Sequence, residues 1–145
     1  MRVRDIMRKE PPFCVPFDTA QAAASIMKHY DVHFIPIIEN EPTHMLVGVV
    51  TDRDLCLRVV AEGKSPGEVQ LAECMTTSPV VCGPGDDIEQ AIQRMSSARL
   101  HQLPVVDGNG AMQGVISLNE ALQNVRLSKL RGRPKDSDSA QQRSA

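Results

Sequence analysis

The sequence is poor in aromatic residues: among 145 positions there is no tryptophan, one tyrosine and three phenylalanines. The core must therefore be built from Val, Ile, Leu, Met and Ala, and a flat ligand has to lie between aliphatic side chains. That scarcity speaks against the stacking rings on which single-stranded nucleic acid is bound. The four cysteines, Cys14, Cys56, Cys74 and Cys82, include no C-x-x-C pair, so a disulfide framework has little support. No stretch approaches the roughly 18 apolar residues of a membrane-crossing helix, and no apolar leader follows Met1-Arg2-Val3-Arg4-Asp5. The expectation is a soluble, cytoplasmic chain.

Catalytic signatures are also missing. There is no phosphate-cradling Walker A segment and no G-x-S-x-G. Gly83-Pro84-Gly85 starts like a dinucleotide fingerprint, but Ile88 stands where its third glycine belongs. Asp52 and Asp54 are too close in sequence to face one substrate across a cleft, so paired-carboxylate catalysis has no basis. An enzyme is not expected. A metal site is not expected either: Cys14 and Cys82 read as small buried cysteines, and His29 and His33 straddle the end of a helix.

What is present is 41% apolar and 23% charged, enough for one domain or two small ones sharing a core. A chain of this length buries roughly 68% of its unfolded surface, so it needs neither metal nor disulfide for stability. The net charge of −2 is uneven: residues 126–145 carry +4, leaving −6 on the rest. An acidic body excludes a globally basic nucleic-acid binder. Within the basic end, Arg131-Gly132-Arg133-Pro134 resembles the core of an AT-hook, which lays arginines in the minor groove. A solvated tail is the competing reading.

The chain is two copies of one unit. At an offset of 68, Met7, Pro11, Cys14, Pro16, Asp18, Ala23, Met27, His33 and Pro36 match Met75, Pro79, Cys82, Pro84, Asp86, Ala91, Met95, His101 and Pro104. The offset then falls to 66, aligning Gly48-Val49-Val50-Thr51 with Gly114-Val115-Ile116-Ser117. Ala20, Ala23, Ala24 and Met27, and likewise Ile88, Ala91, Ile92 and Met95, give each copy a helix with one buried face. Asp18 and Asp86 stand as N-caps, with Gln21 and Glu89 three residues on. Short apolar runs follow at 34–38 and 103–106, each with an internal proline that confines it to a short or edge strand. Second strands are expected at 45–51 and 112–117, then helices burying Leu55 and Val59, and Leu118, Leu122 and Val125. Ser65-Pro66-Gly67-Glu68 starts a short linker helix toward Cys74.

The expected architecture is therefore mixed α/β (α+β): two pseudo-symmetric units, each a small sheet with helices packed on one face. The units span residues 1–64 and 65–128, and residues 129–145 form a disordered basic tail.

Chemistry concentrates at Gly48-Val49-Val50-Thr51-Asp52-Arg53-Asp54, where a strand runs straight into a helix. Free N–H groups of that first turn would make an anion site, with Arg53 and Arg58 adding positive charge. The two oxygens of Asp54 suit the vicinal hydroxyls of a ribose. The same spacing, Thr51-x-x-Asp54 and Ser117-x-x-Glu120, also describes capping boxes, in which the acid bonds back to its own backbone. Spacing alone leaves both readings open.

Taken in order and twice over, these segments resemble a tandem pair of cystathionine-β-synthase-type (CBS) domains, a Bateman module. The carrying residues are Val3-Arg4-Asp5-Ile6-Met7 and Leu71-Ala72-Glu73-Cys74-Met75, His33-x-x-Pro36 and His101-x-x-Pro104, and the two Gly-h-h-Thr/Ser-x-x-acid segments, where h is apolar. The resemblance implies a stand-alone regulatory module that binds an adenosine compound (AMP, ADP, ATP, S-adenosylmethionine or a dinucleotide) between its units. It implies that Asp54 takes the ribose with Thr51 beside the phosphate, and that Glu120 and Ser117 correspond to them in the second unit. It places His33 and His101 against phosphates, and adds Asp52, Arg53, Ile35, Pro36, Leu103 and Pro104 to the ligand-binding set. It further implies a homodimer that answers to a regulated protein partner. The alternatives are a DNA-associated dimer using the basic tail and a ligand-free dimerisation module.

Overall fold

The structure is a computed structural model and describes residues 1–131. In chain order its elements are α1 (Val3–Ile6), β1 (Arg8–Lys9), α2 (Ala20–Tyr30), β2 (Phe34–Ile38), β3 (Leu46–Thr51), α3 (Asp52–Leu55), α4 (Leu71–Cys74), β4 (Thr76–Thr77), α5 (Ile88–Ala98), β5 (Gln102–Val106), β6 (Met112–Ser117) and α6 (Leu118–Arg131). α3 continues as a wide π-type turn over Cys56–Val60, and Pro66–Glu68 forms a single 3₁₀ turn.

The strands make two antiparallel three-stranded sheets, ordered β2-β3-β4 and β1-β6-β5. Each sheet takes its short third strand from the segment that the repeat assigns to the other copy. β1, near the N-terminus, pairs with β6, and β4, which opens the second copy, pairs with β3. Buried anchors hold the exchange. Val3 lies fully inside the core that contains Met95, Leu103 and Ile116, and Leu71 lies fully inside the one that contains Ala23, Ile35 and Val50. Backbone bonds repeat the pattern: Val3 N donates to Asp86 O at 2.9 Å and Leu71 N to Asp18 O at 2.8 Å.

Glycine at one position of each middle strand permits the close approach. A Cβ on Gly48 would sit 2.8 Å from Thr76 O, and one on Gly114 2.5 Å from Arg8 O. The prolines occupy the opposite edges. Because N–H and C=O of one strand residue point the same way, and the carbonyls of Pro36 and Pro104 face outward to accept from Cys14 N and Cys82 N, the missing proline donors cost the inner ladder nothing. The two sheets meet where Met45 bridges Ala111.

Several sequence expectations change. The caps of α2 and α5 are Thr19 and Asp87, one residue later than expected. Asp18 and Asp86 instead accept the N–H of Val15 and Gly83, both at 2.9 Å, tightening the turn before each helix. Ala24 is exposed, because the buried stripe of α2 runs through Ala20, Ala23 and Met27. Leu122 is also exposed, and Ala121 takes the inward position. The linker helix is broken: Val69 is extended between the 3₁₀ turn and α4, where its side chain joins the first core. Lys129, Leu130 and Arg131, expected in the tail, form the last turn of α6. The rest of the tail, including Gly132-Arg133-Pro134, lies outside the described residues. No helix among the described residues is long and apolar enough to cross a membrane.

Candidate functional site

The strand-to-helix turn at Thr51 is a complete capping box. Thr51 Oγ1 accepts the N–H of Asp54 at 3.2 Å, while Asp54 Oδ2 accepts the N–H of Thr51 at 2.9 Å and its hydroxyl at 3.2 Å. The other first-turn donors are also engaged: Asp52 N donates to His33 O at 3.1 Å and Arg53 N to Oδ1 of the preceding Asp52 at 2.8 Å. The expected anion site of free N–H groups is therefore not formed, because all three donors are paired locally. Any anion at this turn has to be held by side chains.

The turn nevertheless faces open space. A cavity of about 590 Å³ lies between the two sequence copies. Thr51, Asp52, Arg53, Asp54 and His33 line it from the first copy, and His101 and Pro104 from the second. Asp54 is mostly enclosed, its side chain 13% exposed, with Oδ1 directed away from the capping bonds toward Thr76 Oγ1 at 3.4 Å and Arg58 Nε at 3.8 Å.

The two histidines reach the cavity by the same route. Asp31 and Arg99 end α2 and α5 in the left-handed conformation, φ 54° and 57°, turning the chain from helix toward strand. The carbonyls of His33 and His101 then accept the first N–H of the helix that follows the two-strand hairpin, from Asp52 at 3.1 Å and Leu118 at 2.8 Å. Both imidazoles are thus carried on fixed backbone.

Other expected residues lie elsewhere. Ile35 and Leu103 are fully buried core residues and Pro36 is buried in β2, so none of them lines the cavity. Ser117 and Glu120 form their own capping pair, with the hydroxyl 3.2 Å from Glu120 Oε1, and are also not among the lining residues. Arg58 is not a free cation: its Nη1 donates to Cys74 O at 3.3 Å and Met75 O at 3.1 Å.

Sequence reasoning missed part of the wall. Phe34 supplies an aromatic ring, and Thr76, Ser78, Pro79 and Val80 arrive with the exchanged strand β4. Arg99, Leu100 and Gln102 come from the end of α5 and the start of β5. Arg99 brings a cation that no spacing rule marks.

The buried cysteines are chemically quiet. Burial, reinforced by the nearby carboxylates Asp18 and Asp86, pushes Cys14 up to about 12 and Cys82 up to about 11. Each sits in a different core cluster.

The CBS domain model matches residues 3–61 and again 70–126. The chain belongs to the CBS-domain family. This CBS pair is similar to the CBS domain-containing protein YhcV of Bacillus subtilis, with 35% identity over 122 residues and 84% of each chain covered. Two solved structures share its fold. CBSX2 in complex with AMP gives a TM-score of 0.75 at 24% identity, covering 88% of this chain and 98% of that one. The CBS domain pair of MJ0100 in complex with 5′-methylthioadenosine and S-adenosyl-L-methionine gives 0.73 at 22% identity, covering 89% and 98%.

Proposed function

We propose that this CBS pair is a regulatory module of the cytoplasm that binds an adenosine-containing ligand in the cavity between its copies, and that it acts as a homodimer on a protein partner. The observation that carries this reading is the composition of the cavity wall. Thr51, Thr76 and Ser78 bring hydroxyls to it, Asp54 a carboxylate, and His33, His101, Arg53 and Arg99 cationic or hydrogen-bonding groups, while Phe34, Val49, Leu100 and Pro104 supply apolar surface. An apolar slot with a few convergent polar groups is the usual form of a small-ligand site, and the volume lies within the usual range of roughly 300–1,000 Å³. Solved proteins of the same fold are described in complex with AMP and with S-adenosyl-L-methionine, which supports the adenosine class.

The wall also ranks the candidates. Two guanidiniums, Arg53 and Arg99, and two imidazoles line it, and the first-turn N–H groups are already paired. That favours a ligand of low charge, AMP or S-adenosylmethionine, over ATP. Binding across both copies gives a ligand different contacts in open and closed arrangements, which is the condition for switching. The test is a melting series with AMP, ADP, ATP and S-adenosylmethionine. A ligand at one hundred times its Kd should stabilise by about 2.7 kcal/mol, raising Tm by roughly 5–10 °C at this size. No shift with any of the four would refute the reading.

A further inference from the structure

Arg58 differs from its counterpart in the second copy in identity and in what it touches. At the offset of 66 the equivalent residue is Asn124, whose side chain turns back to donate to Glu120 O at 2.8 Å within a regular helix. Arg58 lies in the π-type turn Cys56–Val60, a local widening that often accompanies a functional site. From there it crosses to the segment entering the second copy, donating to the carbonyls of Cys74 and Met75 with its Nε 3.8 Å from Asp54 Oδ1. Thr76 Oγ1 closes the ring on the same Asp54 oxygen at 3.4 Å.

We propose that Arg58 is a positioning residue that sets one wall of the cavity. It does not line the cavity itself. By holding two successive carbonyls it fixes Cys74 and Met75, and hence the position of the residues that follow, of which Thr76, Ser78, Pro79 and Val80 form the wall facing Asp54. β4 is only two residues long and has two ladder partners, Gly48 and Val49, so its own pairing is a weak constraint. A forked guanidinium satisfies two carbonyls and an adjacent carboxylate in one geometry, which a shorter amide cannot do. The second sheet has arginine, Arg8, at the place of Thr76, and the helix after it has asparagine at the place of Arg58, so the brace exists once only. Preorganising a wall in this way raises affinity by removing the cost of ordering it on binding.

The ligand half of this proposal rests on the adenosine reading above, and the experiment separates the two. Amide hydrogen exchange is measured on ligand-free wild type and Arg58→Asn, and AMP binding to both is measured by calorimetry. The expected result is exchange at Met75, Thr76 and Thr77 faster by about fivefold or more in the variant, with β5 and β6 unchanged as evidence of a folded chain. The AMP Kd should rise by about tenfold. Unchanged exchange at 75–77 overturns the proposal, and so does faster exchange with unchanged AMP affinity. If wild type shows no AMP binding, the assignment of AMP fails, and the ligand-free exchange still decides whether Arg58 holds the wall.

Discussion

The two oxygens of Asp54 do different work: Oδ2 accepts the N–H of Thr51 at 2.9 Å, while Oδ1 faces Thr76 and Arg58 beside the cavity. Capping and ligand binding are therefore compatible in one carboxylate. A single substitution can separate them.

Asp54→Ala removes both roles. It should cost about 1 kcal/mol through the lost cap and abolish the ligand-induced rise in Tm. Asp54→Asn keeps an oxygen for the Thr51 N–H and loses the charge. Its ligand-free Tm should stay near wild type while AMP binding weakens by at least about tenfold. Melting curves with and without AMP check both; an unchanged AMP shift in Asp54→Asn would remove the carboxylate from the site.

Gly48→Ala should force the exchanged strand away, since its Cβ would meet Thr76 O at 2.8 Å and Met75 Sδ at 2.9 Å. A backbone atom cannot move as freely as a side-chain tip, and overpacking of this kind costs roughly 1–3 kcal/mol. Urea unfolding gives the stability change, and AMP affinity should fall with it, because the same strand leads into the cavity wall. Gly114→Ala, which meets Arg8 O at 2.5 Å, should destabilise by a similar amount and leave AMP affinity nearly intact.

Val3→Ala should cost about 1–3 kcal/mol despite its place near the chain start, because Val3 is fully buried in the second core. Hydrogen exchange should locate the loosening in β5 and β6 rather than in β2 and β3. Equal loosening of both sheets would contradict the strand exchange.

Cys14 and Cys82 make stability fall in alkali. Burial pushes their thiols up to about 12 and about 11 in the folded chain, above the ordinary value of 9.0 that applies when unfolded, so folding favours the protonated form. Their contribution is fully present below about pH 9 and is lost as pH rises toward 11–12. Between pH 6 and 8 these two groups should add no slope. At pH 8 a thiol reagent should modify exposed Cys56 first, and mass spectrometry of a short labelling reaction checks the order.

The repeat made much of this fold legible. Matching Cys14 to Cys82 and Gly48 to Gly114 located both sheets, and the prolines at 36 and 104 placed β2 and β5 at edges. The exchange of β1 and β4 was not legible, because two-residue strands carry no period and their partners are set by where Val3 and Leu71 find a core. The cap shift from Asp18 to Thr19 has a local cause, since Asp18 is already engaged with Val15 N. At the site, the spacing of Thr51 and Asp54 permitted either a cap or a ligand, and the structure has the cap together with a cavity beside it. The remaining wall, Ser78 to Val80 and Arg99 to Gln102, comes from segments near in space and far in sequence.

The most direct measurement of the central claim is an amide shift map recorded by NMR while AMP is titrated into the full chain. The account predicts saturable shifts at Thr51, Asp54, Thr76 and His101, with Ser117 and Glu120 undisturbed. A spectrum that does not move, or one that moves only around Ser117 and Glu120, contradicts it.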